Sequence, residues 1–153
     1  MTPRRLFRIV AVTEAITWCL LIIGMLLKYV TRTTDLGVTI GGGLHGFVFL
    51  CYLAVTCMVA VDKSWPLGTT VLGLAAAFLP GATIAFERRV QAQDRLDDAP
   101  WRLGAGQSSP TGPLEKLVAF LLRRPALSAV VIVVGIGCVF GGLLVLGPPG
   151  EWG

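Results

Sequence analysis

Four stretches of this sequence are each apolar over about 20 residues, the length that an α-helix needs to cross the hydrocarbon layer of a membrane. They run over residues 7–27, 38–61, 67–86 and 126–146. Residues 130–134 are apolar on every side, whereas helices of a soluble bundle keep a polar face. We therefore predict an all-α polytopic membrane protein with four transmembrane helices in a small bundle, with three spans as the alternative.

The charged fraction supports a membrane environment. Only 14% of the residues are charged, against about 25% in an ordinary soluble domain. Such a composition is not that of a disordered chain, a disulfide-stapled miniprotein or a typical soluble enzyme. Arginines precede the first apolar stretch, as in a signal peptide. No suitable cleavage site follows them, so we expect the first helix to be retained.

The predicted organisation has three parts. Residues 1–89 form a three-span membrane region, residues 90–125 a polar basic loop, and residues 126–153 a fourth transmembrane helix with a short tail. Within the loop, residues 114–124 are amphipathic. That segment either lies on the membrane surface or begins the fourth helix early.

Basic residues set the expected orientation. Four spans would place the two termini and the short loop after the second span on one side, with four Lys and Arg residues, and the first and third connecting loops on the other, with nine. The positive-inside rule then places the long basic loop in the cytoplasm of a bacterial plasma membrane. Arg4, Arg5 and Arg8, ahead of the first helix, argue for the opposite orientation.

Glu14 and His45 are the ionisable residues inside the predicted spans, where such residues are costly and often functional. We expect Glu14 to hydrogen-bond Thr13, Thr17 or Thr56 and so tie helices together. The alternative is a group that binds and releases protons. Glu14 and His45 are expected near opposite membrane faces, and hence not to form an acid–base pair.

His45 is predicted to lie beside Pro80 of the third span. A proline leaves the carbonyl four residues earlier, that of Ala76, without its helical donor. An imidazole N–H is a suitable substitute donor in lipid. Gly24 at the same depth would allow close approach, which gives a cluster of His45, Pro80 and Gly24. We expect it to be structural.

Glycines four residues apart mark two helix-packing faces. Gly42 and Gly46 form one pair and Gly137 and Gly141 another, and small residues at this spacing let helices approach closely. The pairs serve either packing within the chain or contact with a partner. No motif for a metal, a cofactor, a nucleophile or nucleic acid is present in the sequence, so we expect no cofactor and no nucleic-acid partner.

A set of residues in the first three spans resembles the DUF3817 family of small bacterial membrane proteins, which has no established activity. The set covers Glu14, the segment Gly24 to Lys28 with Tyr29, His45-Gly46 with Tyr52, Trp65, Leu79-Pro80-Gly81 and Glu87-Arg88-Arg89. The resemblance spans about residues 5–89. It implies a bacterial plasma membrane and assigns no catalytic residue.

The sequence as a whole favours a protein that is not an enzyme. We expect an accessory or assembly subunit of a membrane complex, such as a respiratory one, that acts through a membrane-protein partner or as a homo-oligomer. The alternative is a small oligomeric transporter or channel subunit that uses Glu14 or His45. A membrane enzyme ranks third, because no catalytic constellation is present.

Overall fold

The computed structural model describes residues 1–104 and 109–146, apart from six side chains of the last helix. This part of the chain is all helical and contains no strand. The helices are α1 (Pro3–Met25), α2 (Leu36–Asp62), α3 (Leu67–Ala76), α4 (Ala82–Ala92), α5 (Pro113–Arg123) and α6 (Pro125–Leu146).

Two long apolar helices, α1 and α2, form the centre of the fold. The Thr2 hydroxyl accepts from the backbone N–H of Arg5 and so caps α1, and Pro3 occupies its first turn. A π-helical segment, Leu26–Val30, ends α1 before a short loop reverses the chain. Among the described residues, Pro3–Val30 and Leu36–Asp62 are the two helical segments long and apolar enough to cross a membrane.

Glycines bring α1 and α2 into backbone contact. A Cβ atom on Gly24 would lie 2.4 Å from the backbone carbonyl of Gly37, and one on Gly41 would lie 3.0 Å from the carbonyl oxygen of Leu20. Neither position can hold a larger side chain at this helix spacing. Gly24 therefore serves the contact between α1 and α2 and does not join His45 and Pro80, contrary to the sequence-based expectation.

The predicted third span, residues 67–86, is divided into two helices that run in opposite directions. Pro80 lacks an N–H and Gly81 adopts a left-handed backbone with φ of 76°, so the helix ends at Ala76 and the chain reverses. A Cβ on Gly73 would lie 2.8 Å from the Phe86 ring. Nearer the open end, Arg95 donates to the Thr69 hydroxyl. Helices α3 and α4 thus form a hairpin, and the structure does not confirm four spans.

The chain after α4 stays at the end of the bundle where α1 begins and α2 ends. Trp65 Nε1 donates to the Arg95 carbonyl at 2.9 Å, and Trp101 Nε1 donates to the Met1 carbonyl at 2.9 Å. Lys63 and Asp97 form an ion pair of 2.6 Å. We call this end of the bundle the basic end and the opposite one, with the loop between α1 and α2, the far end.

Helix α5 packs on the basic end. Its Val118 and Ala119 are buried, against Leu103. Arg102 links it to the bundle, since its guanidinium contacts Glu115 at 2.7 Å and its Nε donates to the Asp62 carbonyl at 2.6 Å. Helix α5 is a separate helix that ends before Pro125, rather than an early start of α6.

Helix α6 leaves the basic end and lies against α2. The Phe140 ring meets Gly46, where a Cβ would lie 2.7 Å from Cε2. Phe140 is 15 residues into α6 and Gly46 is 16 residues before the end of α2. The two helices therefore run antiparallel, and α6 points towards the far end.

Candidate functional site

Glu14 lies fully buried where α1 meets the start of α4. Its Oε2 is 2.7 Å from the Thr83 hydroxyl, while its Oε1 has no hydrogen-bond partner. Thr83 is the second residue of α4, so the positive end of that helix dipole faces the carboxyl group. The hairpin, which carries Thr83 into the bundle, is therefore what positions the partner of Glu14.

The Thr83 hydroxyl has two acceptors within reach and only one proton. Its Oγ1 lies 3.2 Å from the Ala11 carbonyl as well as 2.7 Å from Glu14 Oε2. A protonated Glu14 resolves the geometry, because the carboxyl O–H donates to Thr83 and Thr83 donates to Ala11. An ionised Glu14 would compete with the carbonyl for that single proton. The geometry therefore favours a protonated carboxyl group.

The threonines that the sequence suggested as partners of Glu14 bind backbone carbonyls instead. Thr13 donates to Ile9, Thr17 to the backbone oxygen of Glu14, and Thr56 to Tyr52. Threonine in a helix readily makes such bonds to the preceding turn. The expected partners of the carboxyl group were thus wrong, and the actual one lies on α4.

His45 is buried between α1 and α2. Its Nδ1 lies 3.2 Å from the Thr17 hydroxyl, whose own proton is donated to the Glu14 carbonyl. Thr17 must therefore accept, which makes Nδ1 of His45 the donor. The Trp18 ring lies against the imidazole with 4.4 Å between the centroids. These contacts describe a packed, hydrogen-bonded histidine.

The predicted pairing of His45 with a carbonyl near Pro80 is wrong. Pro80 is exposed, and the Ala76 carbonyl accepts from the Leu79 N–H at 3.2 Å. A ring N–H does donate to a backbone carbonyl at the tip of the hairpin. The donor is the indole of Trp18, and the acceptor is the Ala77 carbonyl at 3.2 Å. The expected kind of bond is present with another donor and another acceptor.

Glu14 and His45 belong to one buried polar cluster rather than to opposite faces. Thr17 joins them, since it lies one turn from Glu14 on α1 and bonds His45 on α2. The link runs through the backbone oxygen of Glu14. In the described structure, the two side chains therefore share no hydrogen bond.

Glu87 is a functional candidate that the sequence analysis missed. It was expected at the charged exit of a span, but it is only 5% exposed and its Oε1 has no hydrogen-bond partner. It follows Thr83 by four residues on α4, so the two side chains occupy the same helix face. The sequence did contain a signal for this, because Thr83 and Glu87 are four residues apart and so lie on one face of a helix.

The remaining predicted residues lie apart from this cluster. Lys28 pairs with Asp35 at 3.5 Å at the far end. Gly42 would place a Cβ 3.7 Å from the Leu21 side chain, whereas a Cβ on Gly137 or Gly141 would meet nothing within 4 Å. No group of three potential metal-ligating residues occurs among the residues described.

Comparison with known proteins identifies the relatives of this chain. The model of the DUF3817 family, a domain of unknown function, matches residues 4–92. The chain belongs to the DUF3817 family. The matched region ends with α4, so it comprises α1, α2 and the hairpin.

Two similar bacterial proteins are described as membrane proteins. The Streptomyces coelicolor membrane protein SCO5905 is 47% identical over 93 residues, which cover 60% of this chain and 11% of that protein. The uncharacterized membrane protein YdzA of Bacillus subtilis is 39% identical over 69 residues, 45% of this chain and 71% of YdzA. No solved structure is significantly similar to this chain. The chain is thus a membrane protein of the DUF3817 family. It spans about a tenth of the length of the Streptomyces coelicolor protein.

Proposed function

We propose that this DUF3817 protein is a non-catalytic accessory subunit of the bacterial plasma membrane, which binds another membrane protein through α6. The observation that carries the proposal is the open face of Gly137 and Gly141. These glycines allow close approach of a second helix, yet nothing in the described chain lies within 4 Å of a Cβ at either position.

The other side of α6 already has a partner. Ile136 is buried and Phe140 contacts Gly46 on α2. By contrast, Val130 and Val134 are 60% and 56% exposed. At 100° per residue, Gly137 and Gly141 lie beside these valines, away from Ile136. One side of α6 therefore holds the helix to the bundle. The flank with Gly135 and Gly142 is as open as the flank with Gly137 and Gly141; we assign the partner to the latter because its glycines are four residues apart, the spacing that lets two helices approach closely.

The hairpin changes how the basic residues are divided between the two sides of the membrane. Because α3 and α4 both open at the basic end, the chain crosses on α1, α2 and α6, and the hairpin enters and leaves on one side. The far end keeps only Lys28 and Arg32 of the 13 basic residues. The others belong to the basic end: Arg4, Arg5, Arg8, Lys63, Arg88, Arg89, Arg95, Arg102, Lys116, Arg123 and Arg124.

This division supports an orientation with the basic end in the cytoplasm. It removes the conflict in the sequence-based count, since the three arginines before α1 and the long loop now lie on the same side. The proposed cytoplasmic position of the loop is unchanged. The proposed N-terminus moves from the outside to the cytoplasm.

Photo-crosslinking from α6 tests the partner proposal. A photoreactive residue is placed at Gly137 or Gly141 in the bacterium that carries the protein, and adducts are identified by mass spectrometry. Gly135 is the matched control, because it lies about 160° around the helix from Gly137. We expect one and the same membrane protein to be captured from Gly137 and Gly141, but not from Gly135.

Other results would contradict the accessory role. Adducts with a second copy of this chain would show self-association instead. No adduct from either glycine would mean that lipid covers this face. Gly137→Leu with Gly141→Leu should abolish the specific adduct at a neighbouring probe, whereas Gly135→Leu should leave it intact.

The transporter alternative is supported by a different observation, the buried carboxyl group of Glu14. Ionisable residues at such positions often serve proton movement. Uptake assays in liposomes distinguish the two functions. Proton-coupled uptake that disappears in Glu14→Gln would favour a transporter subunit over an accessory one.

A further inference from the structure

We propose that the groove between α3 and α4 binds one anionic phospholipid of the leaflet at the basic end. Its acyl chain lies between the two helices, and its phosphate lies beside Arg89 and Arg95. The site involves no residue of α6, so the inference holds whether or not α6 binds a partner.

Two adjoining cavities form this groove. One has a volume of about 240 Å³ and lies between the arms of the hairpin, and the other, of about 300 Å³, lies at its open end. Leu72, Phe86 and Arg89 line both cavities, so the two are continuous. Leu79 and Ala82, beside the turn, line the inner cavity. The groove therefore runs from the tip of the hairpin to the basic end.

Small side chains keep the inner cavity open. Ala75, Ala82 and Ala85 line it and leave space that larger side chains would fill. Phe86 cannot move away from this space into the hairpin, because its ring already lies where a Cβ on Gly73 would be 2.8 Å away. An apolar cavity favours an apolar occupant over water. In a membrane, an acyl chain is the apolar group that surrounds such a groove.

The length of the hairpin matches one leaflet of the membrane. Helix α3 has 10 residues and α4 has 11, so each arm is about 15 Å long at 1.5 Å per residue. That is half of a hydrocarbon core of about 30 Å. A phospholipid of the same leaflet has its headgroup at the basic end and its acyl chains at the depth of the inner cavity.

The open end of the groove carries positive charge. Arg89, Gln93 and Arg95 line the outer cavity together with Thr69, and no Asp or Glu of the described chain is among its lining residues. The ion pairs of the described residues include neither arginine. Arg95 donates to Thr69, but a guanidinium has five N–H groups, so donors remain for a phosphate. The open end thus complements a net negative headgroup and offers no carboxylate to the cation of a zwitterionic one.

Native mass spectrometry of the purified full chain tests this selectivity. Phosphatidylglycerol, which is anionic, and phosphatidylethanolamine, which is zwitterionic, are added with identical acyl chains. We expect phosphatidylglycerol to bind about 25-fold more tightly, because each of the two arginines contributes about fivefold near an anionic headgroup. Equal affinities would overturn the proposal. Inorganic phosphate should displace no more lipid than chloride does at the same ionic strength, and selective displacement would indicate a site for free phosphate instead.

A pair of arginine variants locates the headgroup. Arg89→Gln should weaken phosphatidylglycerol binding about fivefold and leave phosphatidylethanolamine binding unchanged. Arg88→Gln is the matched control, because it removes the same charge from an exposed neighbour that lines neither cavity. Equal losses in the two variants would show a general attraction of lipid to the basic end and overturn the site.

A pair of alanine variants locates the acyl chain. Ala85→Leu fills the inner cavity from an exposed position, and we expect a similar loss of affinity for both lipids at unchanged thermal stability. Ala92→Leu is the matched control, since Ala92 is also exposed on α4 and lines neither cavity. Full lipid binding by folded Ala85→Leu would overturn the placement of the chain between α3 and α4. If Ala85→Leu fails to fold, the arginine pair still decides the proposal.

Discussion

Thr17 has one hydroxyl proton, and where it goes determines the state of His45. Because the proton is donated to the Glu14 carbonyl, the imidazole must donate from Nδ1. The residue type alone could not reveal this. The sequence correctly marked Glu14 and His45 as buried polar groups, but their partners depend on which helix the hairpin brings beside them.

Removal of the Thr17 hydroxyl should destabilise the contact between α1 and α2. We expect Thr17→Val to cost about 0.6–1.7 kcal/mol, the range for hydrogen bonds between membrane helices. Thr13→Val is the matched control, since Thr13 is exposed and bonds only its own helix. Thermal unfolding in detergent measures both. Equal stability of the two variants would contradict the role of Thr17.

A methyl group at Gly24 should be far more harmful than one at Gly43. The former would meet the Gly37 backbone at 2.4 Å, whereas the latter would meet nothing within 4 Å. We expect Gly24→Ala to cost about 1–3 kcal/mol, as overpacking does, and Gly43→Ala to be neutral or slightly stabilising. Thermal unfolding in detergent measures the stability of both variants. A neutral Gly24→Ala would rule out the close backbone contact.

The ion pair between Arg102 and Glu115 should make the free energy of unfolding depend on pH at low pH only. The Arg102 guanidinium, together with Thr111, lowers the pKa of Glu115 from 4.5 to about 2. Because the folded-state pKa is lowered, its contribution is full above pH 4.5 and is lost as the pH falls towards 2. The stability difference between wild type and Glu115→Gln should be constant at neutral pH and shrink over that interval. A difference that grows with acid would contradict the pairing.

At the scale of elements, the sequence predicted α1 and α2 well and the third span incorrectly. The long apolar runs over 7–27 and 38–61 must form helices in lipid, because a helix satisfies all backbone hydrogen bonds within the segment. Residues 67–86 are also predominantly apolar, but hydropathy cannot report a reversal of direction. That reversal depends on the left-handed Gly81 beside Pro80 and on the packing of Phe86 against Gly73.

The hairpin should therefore be sensitive at Gly81. Its φ of 76° costs an ordinary residue about 1–2 kcal/mol. We expect Gly81→Ala to lower stability by that amount and to speed hydrogen exchange at the hairpin tip. Gly68→Ala is the control, as it lies inside α3 with open space around it. Slow exchange at the tip of Gly81→Ala would argue for a continuous third helix.

For the whole molecule, the central claim is that α3 and α4 return to the end where α1 begins. The indole bonds of Trp65 and Trp101 and the contacts of Arg102 with Asp62 hold the following loop there. With the hairpin on one side of the membrane, almost all basic residues lie together. A four-span arrangement would instead separate Ser64 from Gln93.

Labelling of single cysteines with an impermeant thiol reagent tests this claim most directly. Ser64→Cys, Gln93→Cys and Thr33→Cys are made singly after replacement of the four native cysteines, and all three positions are exposed. We predict that Thr33→Cys reacts in intact cells, while Ser64→Cys and Gln93→Cys react only after the membrane is permeabilised. Reaction of Ser64→Cys and Gln93→Cys from opposite sides would contradict the hairpin, and reaction of both in intact cells would invert the orientation.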